Sequence, residues 1–310
     1  MCGIAGIIYR DGTRDVGHDM TRMLQSMKHR GPDSTGYALY GPPQDGLAVM
    51  RYTLADSNTP RDFEFNERLG RHQRRVLARL KAAGAEVHES EQETEYAHRV
   101  TFTFDGDLKD LTDRIEDIPD AEVLSIGRSL EIVKDLGDAE TVSEQYKLDG
   151  FKGTHAIGHV RMATESDVDI SGAHPYWAYP FNDIAVVHNG QLTNYFYWKR
   201  RLERQGHRFQ SECDSEIIAV YLAEKMSEGA SLEEAMRASL EELDGVFTYI
   251  AVTDDALGVA KDEMAAKPLV LYESDDVVAL ASEEIAIRAV IDREIDTHDP
   301  YEGEVMVWQR

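Results

Sequence analysis

The residue with the greatest chemical potential stands second in the chain. Cys2 directly follows Met1, and a small second residue permits removal of an initiator methionine. Removal would leave a thiol and a free α-amine on one residue. The amine titrates at about 7.7–8.0 and the thiol near about 8.5, so the amine can accept the thiol proton near neutral pH. One residue would then be both nucleophile and base, with no His or Asp required. Taken alone, a cysteine at this position also reads as a small apolar residue. The run Gly3-Ile4-Ala5-Gly6-Ile7 behind it reads as a strand, and glycine at position 3 is expected to let a substrate approach the sulfur.

Four further strings carry polar groups suited to a reaction: HRGPDSTG from His29, GHVRMAT from Gly158, HNGQLTN from His188 and CDSE from Cys213. Asn189-Gly190 follows the expected strand Ile184–Val187, and Asn-Gly also favours a type I′ hairpin turn. Asp214 precedes a helical run and reads equally as an N-cap. Cys213, its nitrogen tied up in a peptide bond, has no built-in base and is read as a bystander. His155 and His159 are four apart on an expected strand, too far separated to share a metal, and no other metal site emerges.

With MCGIAGI at the start, these strings resemble, in order, the class II glutamine amidotransferases, which are amino-terminal-nucleophile hydrolase domains. The resemblance implies an α+β, four-layer αββα sandwich over 1–41 and about 150–290. It implies hydrolysis of the glutamine side-chain amide through a thioester on Cys2, with Asn189 and Gly190 forming the oxyanion hole. It also implies Arg161 on the substrate carboxylate, Asp214 on its ammonium and a hydroxyl contact from Thr164. Arg30 and Asp33 are read as organisers of the floor around the nucleophile strand. Met162 and Glu165 stand where many members carry Trp and His. The strings GTHAIGHVRMATES, AHPYW and KDEMAAKP look most like stand-alone subunits related to glutamate and methylglutamate synthases. Such subunits work with a separate flavin-dependent synthase, the partner this resemblance implies. Two alternatives keep the same fold: a stand-alone γ-glutamyl amide hydrolase, and a non-catalytic subunit.

Several elements must position these residues. A helix is expected over about 18–29, a strand over Gly36–Leu39, and a strand over Ala156–Val160 leading into Arg161. Helices are expected at about 191–205 and 215–226, with a third opening on the capping box Ser231/Glu234. Strands near 246–252, 258–261, 269–272 and 277–281, a short helix near 283–290 and a strand near 305–308 complete the pattern. Between them, about 42–150 reads as an inserted, heavily charged α+β module with no recognisable chemistry. Its expected parts are a helix over Glu67–Ala83, a strand over Arg99–Phe104, a helix over Leu108–Ile115 and a strand over Val123–Ile126.

Composition bounds the function. The 310 residues carry 33 basic and 58 acidic side chains, a formal charge of −25, which opposes non-specific binding to nucleic acid or an anionic membrane. That bias fits a salt-rich cytoplasm and an acidic mesophilic protein equally well. Two cysteines cannot build a disulfide scaffold or a four-thiolate metal site. With no apolar run of about 20 residues and no signal-peptide pattern, the expectation is a cytoplasmic protein without a cofactor.

Overall fold

The computed structural model describes residues 2–43, 46–55, 59–162, 170, 172–178 and 183–310. Its architecture follows from where both faces of a strand are apolar. The strand β1 (Gly3–Tyr9) is buried along nearly its whole length, as a strand covered on both sides must be. It pairs antiparallel with β10 (His155–Arg161) and with β16 (Val277–Ala281). β3 (Ser34–Tyr40), β8 (Leu130–Leu136) and β15 (Val270–Glu273) complete a six-stranded sheet in the order β15-β16-β1-β10-β3-β8.

A second sheet is stacked on it, in the order β11-β12-β13-β14-β17, from β11 (Tyr176–Trp177), β12 (Ala185–Leu192), β13 (Gly245–Val252), β14 (Ala256–Lys261) and β17 (Val305–Gln309). Ile4 and Ile157 of the first sheet and Val187, Ile250 and Leu257 of the second belong to one buried cluster, the core between the sheets. α1 (Val16–Ser26) lies on the outer face of the first sheet with α4 (Ala139–Tyr146) and α8 (Glu284–Arg288) beside it. α5 (Tyr195–Arg204), α6 (Asp214–Ser227) and α7 (Leu232–Glu242) cover the second. The result is the α+β, αββα four-layer sandwich expected of amino-terminal-nucleophile hydrolases. The Ser231/Glu234 capping box opens α7 as anticipated.

The stretch of about 42–150 contains two different things. Residues 47–127 build a separate sheet, β5-β6-β4-β7, from β4 (Leu47–Thr53), β5 (Glu86–Gln92), β6 (Ala97–Thr103) and β7 (Glu122–Gly127). α2 (Phe65–Ala82) and α3 (Leu108–Glu116) pack against it. By contrast, β8 and α4 belong to the main sandwich, through β3 and α1. Charged residues inside a buried strand obscured β8. Glu131 lies between Arg51 Nε and Arg99 Nε, at 2.8 Å from each, and Asp135 accepts from the hydroxyls of Tyr96 and Tyr146. β2 (Arg14–Asp15) and β9 (Lys152–Gly153) pair in a separate short two-stranded sheet.

Candidate active site

Strand register brings the first two candidates together. Gly3 of β1 is opposite Val160 of β10, so the next step along places Cys2 level with Arg161. The Cys2 thiol lies 3.9 Å from the Met162 carbonyl. The Cys2 backbone carbonyl accepts from Arg30 Nε at 3.0 Å and from Asn189 Nδ2 at 3.2 Å. Buried Arg30 is in turn held by Glu283 at 2.6 Å. A Cβ on Gly31 would stand 2.5 Å from the Arg161 carbonyl carbon, so only glycine lets this segment run against the end of β10. Asp33 fixes the approach by donating its backbone amide to the Arg161 carbonyl at 3.1 Å. Arg30 and Asp33 thus fix the backbone around Cys2 and Arg161. The reading of Gly3 needs correction, however: a Cβ there would face Val160, Arg30 and Met27, so the glycine makes room for protein side chains rather than for a substrate.

Asn189 and Gly190 are not a turn. β12 continues through them to Leu192, with Asn189 opposite Thr248 and Gly190 opposite Phe247. The polar residues hid the strand because they border a cleft instead of a core. Gly190 has φ +136°, and a Cβ would approach the Val246 carbonyl oxygen to 2.0 Å, so no other residue fits. Asn189 Nδ2 is shared between the Cys2 carbonyl and Ser282 Oγ, the latter at 3.3 Å, while its Oδ1 is buried without a partner. Ser282, which also accepts from the Ile4 amide at 3.0 Å, was not legible as a site residue. It lies in no recognisable string, and only the pairing of β16 with β1 brings it here.

Asp214 is likewise not the cap of its helix. Cys213 occupies the N-cap without a side-chain cap bond, and Asp214 is the first helical residue. Its Oδ2 accepts from the Leu192 amide at 2.7 Å, tying α6 to the end of β12, and a carboxylate at this end is favoured by the helix dipole. Its side chain keeps 23% exposure toward the cleft. Burial pushes the Cys213 thiol up, with Asp214 adding to the effect, so this sulfur is held as thiol.

Beneath the cleft lies a group of buried imidazoles. His174 Nε2 and His188 Nδ1 both meet Ser215 Oγ at 2.7 Å, and His174 stacks on His159 at 4.1 Å. Burial lowers His159 to about 3, helped by His188 and Arg161. It also lowers His188 to about 4, against the pull of Asp214. These rings are neutral at pH 7. His155 is elsewhere, held between Thr154 Oγ1 and the Thr253 carbonyl.

Cys2, Arg161, Asn189, Gly190 and Asp214 line one cleft of about 680 Å³. Thr164 and Glu165 lie outside the described residues. Among the described residues no cluster could hold a metal ion, and no helix is long and apolar enough to cross a membrane.

Residues 159–289 match the family model described as a glutamine amidotransferase domain. A protein of Methanothermobacter thermautotrophicus named "Putative glutamine amidotransferase" is 41% identical over 315 residues, covering 100% of both chains. The glutamine amidotransferase-like protein GlxB of Rhizobium meliloti is 34% identical over 88% of this chain and 86% of its own. The solved structure of glutamine phosphoribosylpyrophosphate amidotransferase from B. subtilis superposes with a TM-score of 0.61 at 21% identity. That likeness concerns the fold alone. It covers 99% of this chain, which spans 47% of the solved one. The chain belongs to the class II, amino-terminal-nucleophile glutamine amidotransferases.

Proposed function

We propose that the protein hydrolyses the side-chain amide of glutamine and supplies the ammonia to a separate synthase subunit. One observation carries this reading: Cys2, Arg161, Asn189, Gly190 and Asp214, drawn from four separate stretches of chain, line the same cleft. With Met1 removed, the Cys2 amine takes the thiol proton and the sulfur attacks the amide carbon. The carbonyl oxygen gains the negative charge and needs preorganised donors. The Gly190 amide and the Asn189 side chain serve that purpose, Asn189 by turning Nδ2 from the Cys2 carbonyl toward the substrate. The C–N bond breaks, the nitrogen takes the proton back and leaves as ammonia, and water then cleaves the thioester to glutamate. Arg161 holds the substrate carboxylate and Asp214 its ammonium, with Thr164 adding a hydroxyl.

A cytoplasmic partner of the glutamate synthase type, carrying the flavin chemistry, completes the reading. Its support is the resemblance of the 153–166, 173–177 and 261–268 strings. A surface on α5 adds to it. Phe196 and Tyr197 are 68% and 60% exposed there, and Phe196 borders the cleft. Arg200 and Arg204 follow Phe196 at successive i, i+4 steps and Arg201 follows Tyr197 at i+4, placing three arginines beside the two exposed rings on a chain of charge −25. Mass spectrometry of the mature amino terminus, together with glutamate release from glutamine, tests the reading. An intact Met1 on an inactive protein would reject the catalytic role.

A further inference from the structure

The loop joining α5 to α6 hangs from two buried glutamates in different parts of the molecule. Glu216 of α6 accepts from the amides of Gln210 and Ser211, both at 2.8 Å, and from Ser211 Oγ at 2.7 Å. Glu116, the last residue of α3 in the four-stranded module, accepts from Gln210 Nε2 at 2.7 Å and from the Val123 amide at 3.0 Å. It also pairs with Arg208, which reaches Asp113 of the same helix at 2.8 Å. Gln210 is fully engaged: Nε2 donates again to the Val123 carbonyl at 3.1 Å, and Oε1 accepts from Trp177 Nε1 at 3.1 Å.

The catalytic cleft begins immediately after this clamp. The Cys213 amide donates to Ser211 Oγ at 3.1 Å, and Ser211, Glu212, Cys213 and Asp214 form one wall of the cleft that Cys2 also lines. A buried acceptor that loses its donor bears its full desolvation cost. Loop and module are therefore constrained to keep one relative position, and that position sets where Asp214 stands.

We propose that Glu116 and Gln210 are positioning residues for the glutamine pocket, through which the four-stranded module sets the Ser211–Asp214 wall. The proposal rests on the amidotransferase reading and assigns the module a role in it. Neither residue touches the substrate. The effect therefore belongs to glutamine affinity and not to the bond-breaking step.

Gln210→Leu removes the side-chain bonds and keeps the backbone amide on Glu216. It is expected to raise the KM for glutamine roughly tenfold and to leave kcat within about twofold. Adding Glu116→Leu to Gln210→Leu completes a double-mutant cycle. Because both changes remove the same contact, the double variant should raise KM by less than about threefold beyond the larger single effect, whereas two independent loosenings would multiply. An unchanged KM in Gln210→Leu, or single effects that multiply in the double variant, overturns the proposal.

Hydrogen exchange of the Ser211 and Cys213 amides, measured without substrate, reads the coupling directly and should accelerate about tenfold in Gln210→Leu. Unchanged exchange overturns the coupling whether or not glutamine is consumed. Accelerated exchange in a chain whose wild type ignores glutamine supports the coupling and rejects the amidotransferase reading instead. Should Gln210→Leu fail to fold, Glu116→Leu, which removes the acceptor, is measured in its place with the same two expectations.

Discussion

The seam between the four-stranded module and β8 and the floor of the candidate cleft both bury polar groups, but they treat them differently. At the seam, Arg51 of the module meets Glu93 and, across on β8, Glu131, and Arg99 also meets Glu131, so each buried charge has an opposite charge against it. In the cleft, Asn189 Oδ1, His159 Nε2, His174 Nδ1 and His188 Nε2 are buried without partners and gathered beside one cysteine. The module's own unpartnered atoms, on Tyr52, His72 and His98, do not line the cleft. Satisfied charges hold a shape, because removing one leaves the other uncompensated. Buried polar atoms are normally bonded, and among the described residues the unpartnered neutral ones concentrate beneath the cleft and not in the charged seam.

The strongest way to break this contrast is Cys2→Ala. It should reduce glutamate release by more than about a thousandfold with an unaltered melting temperature, because in the proposed mechanism the Cys2 sulfur contributes to chemistry and not to the core. Retained hydrolysis would move the reaction elsewhere. Glu131→Ala should show the opposite profile. It leaves buried Arg51 with Glu93 alone and half-buried Arg99 without its carboxylate and should cost about 3 kcal/mol in urea unfolding, with kcat preserved below the melting range. A loss under 1 kcal/mol would show that these charges do not hold the module against β8.

Asn189→Ala sharpens the cleft side of the comparison. A lost oxyanion donor lowers kcat on the order of 100- to 1000-fold. A near-normal kcat would confine Asn189 to holding the Cys2 carbonyl. The smallest effect is in pH. Burial holds His98 of the module and His155 at about 4, His188 at about 4 and His159 at about 3, below the ordinary 6.5. Between these values the unfolded chain binds more protons, so stability is complete above pH 6.5 and falls as pH drops toward 4. Each ring contributes at most about 1.4 kcal/mol per pH unit. His98→Gln should flatten that slope by one such increment without altering kcat. An unchanged slope would mean that His98 is not buried as a neutral ring.

Much of the fold was readable because apolar runs and breakers coincide with its elements. The helix expected at about 18–29 is α1 followed by a 3-10 turn at Lys28–Arg30, and the strand near 277–281 is β16. Misreadings arose where charge or polarity sat inside a strand. β5 is exposed along almost its whole length and has no apolar face to detect. β8 carries Glu131, Lys134 and Asp135 into the interior, and β12 carries Asn189 and Gly190 to the cleft. Periodicity reports burial of apolar groups and is blind to a polar group whose partner lies elsewhere in the chain.

What the sequence by itself determined are local properties: a cysteine directly after Met1, a glycine at position 190, the capping box at Ser231. These depend on covalent structure and on neighbours a few residues away. Tertiary structure alone decided that Ser282 serves the Cys2 strand, that Asp214 bonds β12 instead of capping α6, and that Gln210 answers to Glu116. Each of those pairings joins residues far apart in the chain, and only the stacking of two sheets and the docking of a third determine which distant donors and acceptors are buried together.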